Sequence, residues 1–284
     1  MDVSRLLRSW GLLTSEGNHL MDIPELRWEQ SIFEDPSGGK IVLWPYLPCI
    51  RMPSKMRPRE WDGLALISSP DEITSLREEE RQELESPGIH VDSAAVSGTT
   101  LGMLVRSLSE LDIEGPSIPD PEKIRLLRHA ENSRGGMPIY AVEPSIDDKH
   151  WADWQSRWAD EQVRFRNLFA TIGRNRRWSN AMKDSIPNVS ESKFVNSDLG
   201  AAATVCYAWW REESICLTEE LIREREQRIS SRLRGALADM RKSDLQSKND
   251  HGPVLLVPVQ QASLPSLENT LFDCEHVEEV GREQ

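Results

Sequence analysis

The stretch LTEELIREREQRISSRLRGALADMRK, Leu217 to Lys242, runs shortly into PVLLVPV, Pro253 to Val259, and these two segments decide the fold. The second is apolar at every position, so it must be covered on both faces, as a strand inside a parallel sheet is. The first carries Ile222, Ile229, Leu233, Leu237 and Met240 along one helical line with Arg and Glu around the rest. It therefore reads as a crossover helix with one buried stripe. Thr218 is placed to cap it, and Glu219 and Glu220 suit the positive end of its dipole.

Working outward, the same kind of strand recurs upstream. KIVLWPYL (Lys40 to Leu47), DGLALIS (Asp62 to Ser68) and MPIYAVEP (Met137 to Pro144) are each mostly apolar and bounded by Gly, Pro or polar turns. Between them lie helical patterns. Ser69, Pro70 and Asp71 open one that Pro87 and Gly88 close; Leu101, Leu104, Val105 and Leu108 mark another; Pro121 starts a third that stops at Gly135 and Gly136. GIHVDSAAV, Gly88 to Val96, reads as one more short strand. Trp151, Trp154, Trp158, Phe165, Phe169 and Ile172 fall on one helical face, as a core stripe does more readily than a stacking platform for bases. This order of elements predicts an α/β protein with a mainly parallel sheet flanked by helices and a long-helix region inserted before the last strand. The expected organisation is an N-terminal helical segment over residues 1–36, one α/β domain over 37–272, and an acidic, disordered tail over 273–284.

Composition narrows the function classes. The 284 residues carry a formal net charge of -13, which argues against nucleic acid as a partner because phosphate would be repelled. No apolar run approaches the roughly 20 residues of a membrane span, so the expectation is a cytoplasmic chain with no membrane partner. The four cysteines (Cys49, Cys206, Cys216, Cys274) form no CxxC pair, and the six histidines show no metal-ligand spacing. No metal and no cofactor are expected. Phosphate-loop, dinucleotide, zinc-protease and nucleophile-elbow motifs are all missing.

Two clusters could still carry chemistry. Glu143, Asp147, Asp148 and His150 follow the strand MPIYAVEP, at the kind of strand end where α/β proteins place their sites, although a polar loop would look the same. With Glu114 of the preceding loop, Glu143 and His150 are the catalytic candidates of a hydrolase reading. Arg164, Arg166, Arg174, Arg176 and Arg177 reverse the local charge balance and could bind a small anion, or could pair with the 47 acidic residues of the chain.

From about Lys40 to Leu271 the order of elements resembles the TraB/PrgY family, whose last helix carries an ERDxxMA-like motif ahead of a strand and a GxxH turn. Here Glu224, Arg225, Glu226 and Ile229 fall on the motif, with Glu226 for Asp and Ile229 for Met. Glu143 stands at the family's Asp after the strand in mid-chain, and Pro144 replaces its Arg. The family is similar to proposed metal-dependent hydrolases, which implies histidine turns after the first and last strands and a carboxylate after the second. This chain has WPYLPC (Trp44 to Cys49), ISS (Ile67 to Ser69) and VQQAS (Val259 to Ser263) there instead. Without imidazole or carboxylate ligands no hydrolytic metal would be held. The resemblance thus implies a non-hydrolytic binding or regulatory module for a protein or a small anionic ligand. Its site residues would be Glu224, Arg225, Glu226, Gln260 and Gln261, with Arg174, Arg176 and Arg177 as anion-binding candidates. The alternative is a hydrolase with a relocated site on Glu114, Glu143 and His150.

Overall fold

Period-two alternation in strands covered on both faces should sort each strand's side chains into two separate cores, and the computed structural model, which describes residues 22–164, 173–244 and 252–283, does so. Five strands form one sheet: β1 (Ser31–Glu34), β2 (Lys40–Tyr46), β3 (Gly63–Leu66), β4 (Ile139–Ala141) and β5 (Val254–Gln260). Their spatial order is β1-β2-β5-β3-β4, parallel throughout except for β1, which joins β2 antiparallel at the edge. The last strand in the chain is therefore the middle strand of the sheet.

One face of the sheet presents Val42, Trp44, Tyr46, Leu64, Leu66, Ile139, Ala141 and Leu256. Against it pack α1 (Pro70–Glu85), α3 (Thr100–Leu108), α4 (Pro121–Asn132), α6 (Arg174–Ser185) and α7 (Ser197–Glu213) through residues such as Ile73, Leu104, Leu127, Trp178 and Tyr207. The other face presents Ile41, Leu43, Ala65, Tyr140, Leu255, Val257 and Val259. It is covered by α8 (Glu219–Asp244) and α9 (Leu264–Asp273), through Ile229, Leu233, Leu237, Met240, Leu264 and Leu271. The α/β expectation holds: a central sheet lies between two helical layers. Each fully buried aliphatic side chain contributes about 1.5–3 kcal/mol.

Local signals place the helix starts. Ser69 and Glu72 form a reciprocal capping box on α1, with Pro70 inside the first turn. Asp120 caps α4 by accepting from the N–H groups of Glu122 and Lys123, and it also accepts from the Cys49 N–H across the fold. Glu122, wholly buried, accepts from the Met52 N–H at 3.0 Å, Arg57 Nε at 3.1 Å and Arg125 Nε at 2.6 Å. That carboxylate has the several partners a buried charge needs.

Three segments differ from the sequence reading. Ile89–Val96, expected as a strand, is helix α2, because His90 and Asp92 interrupt a short apolar run whose ends supply no sheet edge. Ser31–Glu34, assigned to an N-terminal helical segment, is β1, held by pairing to β2 rather than by its own pattern; the helix expected over Val3 to Leu13 lies outside the described residues. Residues 274–283, expected to be a disordered tail, instead lie along α8. The Glu278 N–H donates to Ser231 O at 3.0 Å, the Glu283 N–H donates to Ile139 O at 2.8 Å, and Val280 is buried. The acidic residues that made this stretch look solvated are counterions: Glu278 accepts from Arg228 and Arg232.

Gly235 of α8 is the point of closest approach to that tail, since a Cβ there would sit 1.6 Å from the Glu278 carbonyl oxygen. Gly235→Ala gains about 1 kcal/mol of helix propensity, but the clash is with backbone and must displace the tail. The expected outcome is a net loss of about 1–3 kcal/mol in a denaturant titration, with faster limited proteolysis between residues 274 and 283.

Candidate functional site

Pairing between β3 and β5 stops at Leu64 and Leu256, while β5 stays paired to β2 as far as Gln260 and β3 to β4 as far as Leu66. Pro258, two residues beyond the last β3–β5 pair, has no N–H to extend a ladder. The sheet is thus split at its carboxyl edge, the end at which parallel sheets place their ligands. A cavity of about 420 Å³ opens there, within the range of small-molecule sites. Tyr46, Ile67, Pro258, Val259 and Gln260 form its floor.

Two helices supply the aromatic part of the walls. Trp151, Trp154 and Trp158 come from α5 (Lys149–Val163), and Trp209 and Trp210 from the end of α7. α5 is started by Asp148, whose carboxylate accepts from the Trp151 N–H at 2.8 Å. It is tied to α8 by Trp154 Nε1 donating to Leu221 O at 2.9 Å, and by the Arg157–Glu224 ion pair. Trp151 and Trp154 are buried and stack with centroids 4.7 Å apart, forming a small core of their own with Leu221. Trp158, Trp209 and Trp210 remain partly exposed. The aromatic stripe is therefore core at one end and cavity wall at the other. Phe165, Phe169 and Ile172, expected on the same stripe, lie outside the described residues.

Glu143 is set at the end of β4 by its own N–H, which donates to Ser68 O at 3.2 Å. Arg225 reaches it from α8, with Nε 3.1 Å from Oε1 and a second contact from the same guanidinium. Three residues on, Arg228 holds Asp148 through two bonds at 2.8 and 2.6 Å; Arg232, on the same face, donates to Val142 O at 2.8 Å and Ala141 O at 3.2 Å. One face of the Arg-rich helix is thus a row of clamps on the carboxyl end of β4 and on the start of α5. Bonding to Arg228 holds the Asp148 carboxyl down at about 2. Glu226 also lines the cavity; burial pushes its carboxyl up, although Ser266 Oγ donates to it at 2.7 Å.

The remaining candidates are placed as follows. Gln260 lines the cavity, whereas Gln261 is buried behind it with Nε2 donating to Arg27 O at 2.9 Å. Glu224 faces α5 through Arg157, outside the cavity. Glu114 is exposed in its loop beside Arg51, and His150 is exposed at a shallow hollow separate from the cavity. The relocated trio Glu114, Glu143 and His150 is not brought to one place. In the Arg cluster, Arg177 grips the buried Glu212 at 2.9 and 2.7 Å, Arg174 lies 3.9 Å from the same carboxylate, and Arg176 is exposed. Arg174 and Arg177 neutralise a buried acid, the pairing that sequence had weighed against anion binding. Among the described residues no three His, Cys, Asp or Glu side chains gather where they could hold a metal ion.

Sequence reading missed Lys123, Glu213, Trp209 and Trp210. The Trp209–Trp210 doublet held a signal only in its bulk: both indoles pack partly against one core and both stay partly exposed, as two large neighbours about 100° apart at a core's margin do. Lys123 reaches the cavity from the first turn of α4, where its Nζ donates to Ser68 Oγ at 3.2 Å. No protein-family model matches this chain, and neither does any curated protein or solved structure.

Two outcomes follow from the carboxyl shifts. The Asp148 carboxyl titrates lower in the folded state than its ordinary value of 3.8, so its pairing with Arg228 stabilises above that value and is lost as pH falls through about 2. An acid titration should accordingly show Arg228→Met losing its deficit against the parent over that window. Glu226 is shifted the other way, so its charge burdens the fold once pH exceeds its raised value. Glu226→Gln is expected to be more stable than the parent at neutral pH and equal to it below the ordinary glutamate range, read by thermal melts at several pH values.

Proposed function

We propose that this chain is a non-hydrolytic binding or regulatory module whose ligand occupies the tryptophan-walled cavity at the carboxyl edge of the sheet. The observation that carries the reading is the convergence of five Trp side chains from two helices on an opening between β3 and β5. Aromatic walls with a few placed polar groups are the usual make-up of a small-molecule site. The charged groups that line it are already bonded: Glu143 to Arg225, Lys123 to Ser68, Glu226 to Ser266, Glu213 to Thr100 and Glu72 to the Ser69 N–H. Such groups orient a ligand without forming an acid, base and nucleophile set.

A TraB-like scaffold accommodates this reading. Two of the positions named in the resemblance, Arg225 on the last helix and Glu143 in place of the family's Asp, form one ion pair on the cavity wall, while Glu224 of the same motif faces α5 instead. A scaffold that keeps this pair and replaces the histidine turns would keep its cleft and lose its metal chemistry. The proposed partner is a small ligand rather than a membrane, and among the described residues no helix is long and apolar enough to cross one.

Metal analysis of the purified chain, together with peptide and ester turnover assays, tests the non-hydrolytic part. The expected result is neither stoichiometric metal nor turnover; zinc or manganese at one per chain with turnover would overturn it. Saturation-transfer NMR against a fragment mixture tests the cavity. Fragments that bind the parent should lose their signal with Trp209→Ser, and unchanged signals would move the site elsewhere.

A further inference from the structure

The chemical class of that ligand is open to inference, and the inference rests on the binding reading above. Four carboxylates line the cavity, Glu72, Glu143, Glu213 and Glu226, against two cations, Lys123 and Arg225. The cations are committed, Arg225 to Glu143 and Lys123 to the Ser68 hydroxyl. Glu226 accepts from the Ser266 and Thr270 hydroxyls, and Glu213 from the Thr100 hydroxyl, so neither has a cation bonded to it, and Arg225 acts on Glu226 only through space. An entering anion would meet an excess of negative charge in a partly dehydrated site, whereas a cation would reduce it.

The walls select for the same sign. Trp158, Trp209 and Trp210 line the opening and are only partly covered. The face of an indole carries negative quadrupole density, and Trp is the best side-chain partner for a cation. A ring wall backed by carboxylates is the arrangement that recognises alkylammonium head groups, which shed water easily and fit apolar walls. The overall charge of -13 adds a long-range field that draws cations toward the protein.

We infer that the cavity binds a small organic cation of the alkylammonium class, seated against Trp158, Trp209 and Trp210 with Glu226 and Glu213 as its counter-charges. This reverses the small anionic ligand expected from the Arg cluster, whose Arg174 and Arg177 serve Glu212 instead.

The test is a titration of the full chain, followed by intrinsic Trp fluorescence and by calorimetry. The probes are choline and 3,3-dimethylbutan-1-ol, its neutral counterpart of the same shape. Choline is expected to bind at least about tenfold more tightly than the alcohol. Glu226→Gln, which keeps the carbonyl acceptor for Ser266 but removes the charge, should weaken choline several-fold and leave the alcohol unchanged. Circular dichroism of the variant confirms that it folds. Equal binding of both probes would overturn the cation inference while leaving the cavity as a binding site. Binding of neither probe would also overturn it, and the fragment screen with Trp209→Ser then decides separately whether the cavity binds anything. Choline affinity indifferent to Glu226→Gln would overturn the assignment of the counter-charge.

Discussion

Everything in this fold waits on the burial of β5. The strand is last in the chain yet lies between β2 and β3, so the sheet has no continuous centre until residues about 190–215 positions away have been brought beside it. Its side chains supply both cores, Leu256 to one face and Leu255, Val257 and Val259 to the other. A strand polar on one face could not serve here, because helices cover both sides. Such long-range pairing incurs loop-closure entropy before its contacts form. The local devices upstream, the capping box of α1 and the Asp120 cap of α4, restrain the earlier elements against that entropy.

The same constraint produces the cavity. β5 holds β2 along seven residues but β3 along only two, and its Pro258 falls beyond the point of separation. The carboxyl edge is left divided between a β2–β5 pair and a β3–β4 pair. α8 spans the two halves: Leu233 and Leu237 enter the core beneath the sheet, Arg225 and Arg232 fasten the end of β4, and Arg228 holds the Asp148 cap of α5. Hydrophobic burial supplies the bulk of the attraction, and the guanidinium row sets the position of a strand only three residues long.

Sequence showed the parallel core because burial on both faces leaves a mark in composition, and β2, β3, β4 and β5 all carried it. It did not show β1, whose four residues have one buried side chain and owe their conformation to an edge partner. It misread Ile89–Val96 because eight residues with mixed periodicity suit either state. Of the residues singled out in sequence, Glu143, Arg225, Glu226 and Gln260 line one cavity, whereas Glu224 and Gln261 do not. The tryptophans were visible as a stripe, but a 3.6-residue period records only that a face is covered, not whether its end borders a void. Lys123 and Glu213 were out of reach, since their places depend on how separate helices dock.

Net charge along a chain is a poor guide to charge at a site, and the arginines here show why. The segment from Arg164 to Arg177 is the most basic in the sequence, yet three of its described arginines serve structure: Arg177 and Arg174 surround the buried Glu212, and Arg164 pairs with Glu161, while Arg176 is exposed. The Arg/Glu-rich helix α8 looks balanced in sequence and is sorted in space. Its arginines turn toward strand ends and the tail, where Glu278 alone receives two of them, while Glu226 is left beside hydroxyl donors in the cavity. A half-buried carboxyl without a bonded cation is costly to keep charged, which is why its proton affinity rises. Arg225, bonded to Glu143 rather than to Glu226, offsets part of that cost through space alone, so one guanidinium serves two carboxylates of the cavity unequally.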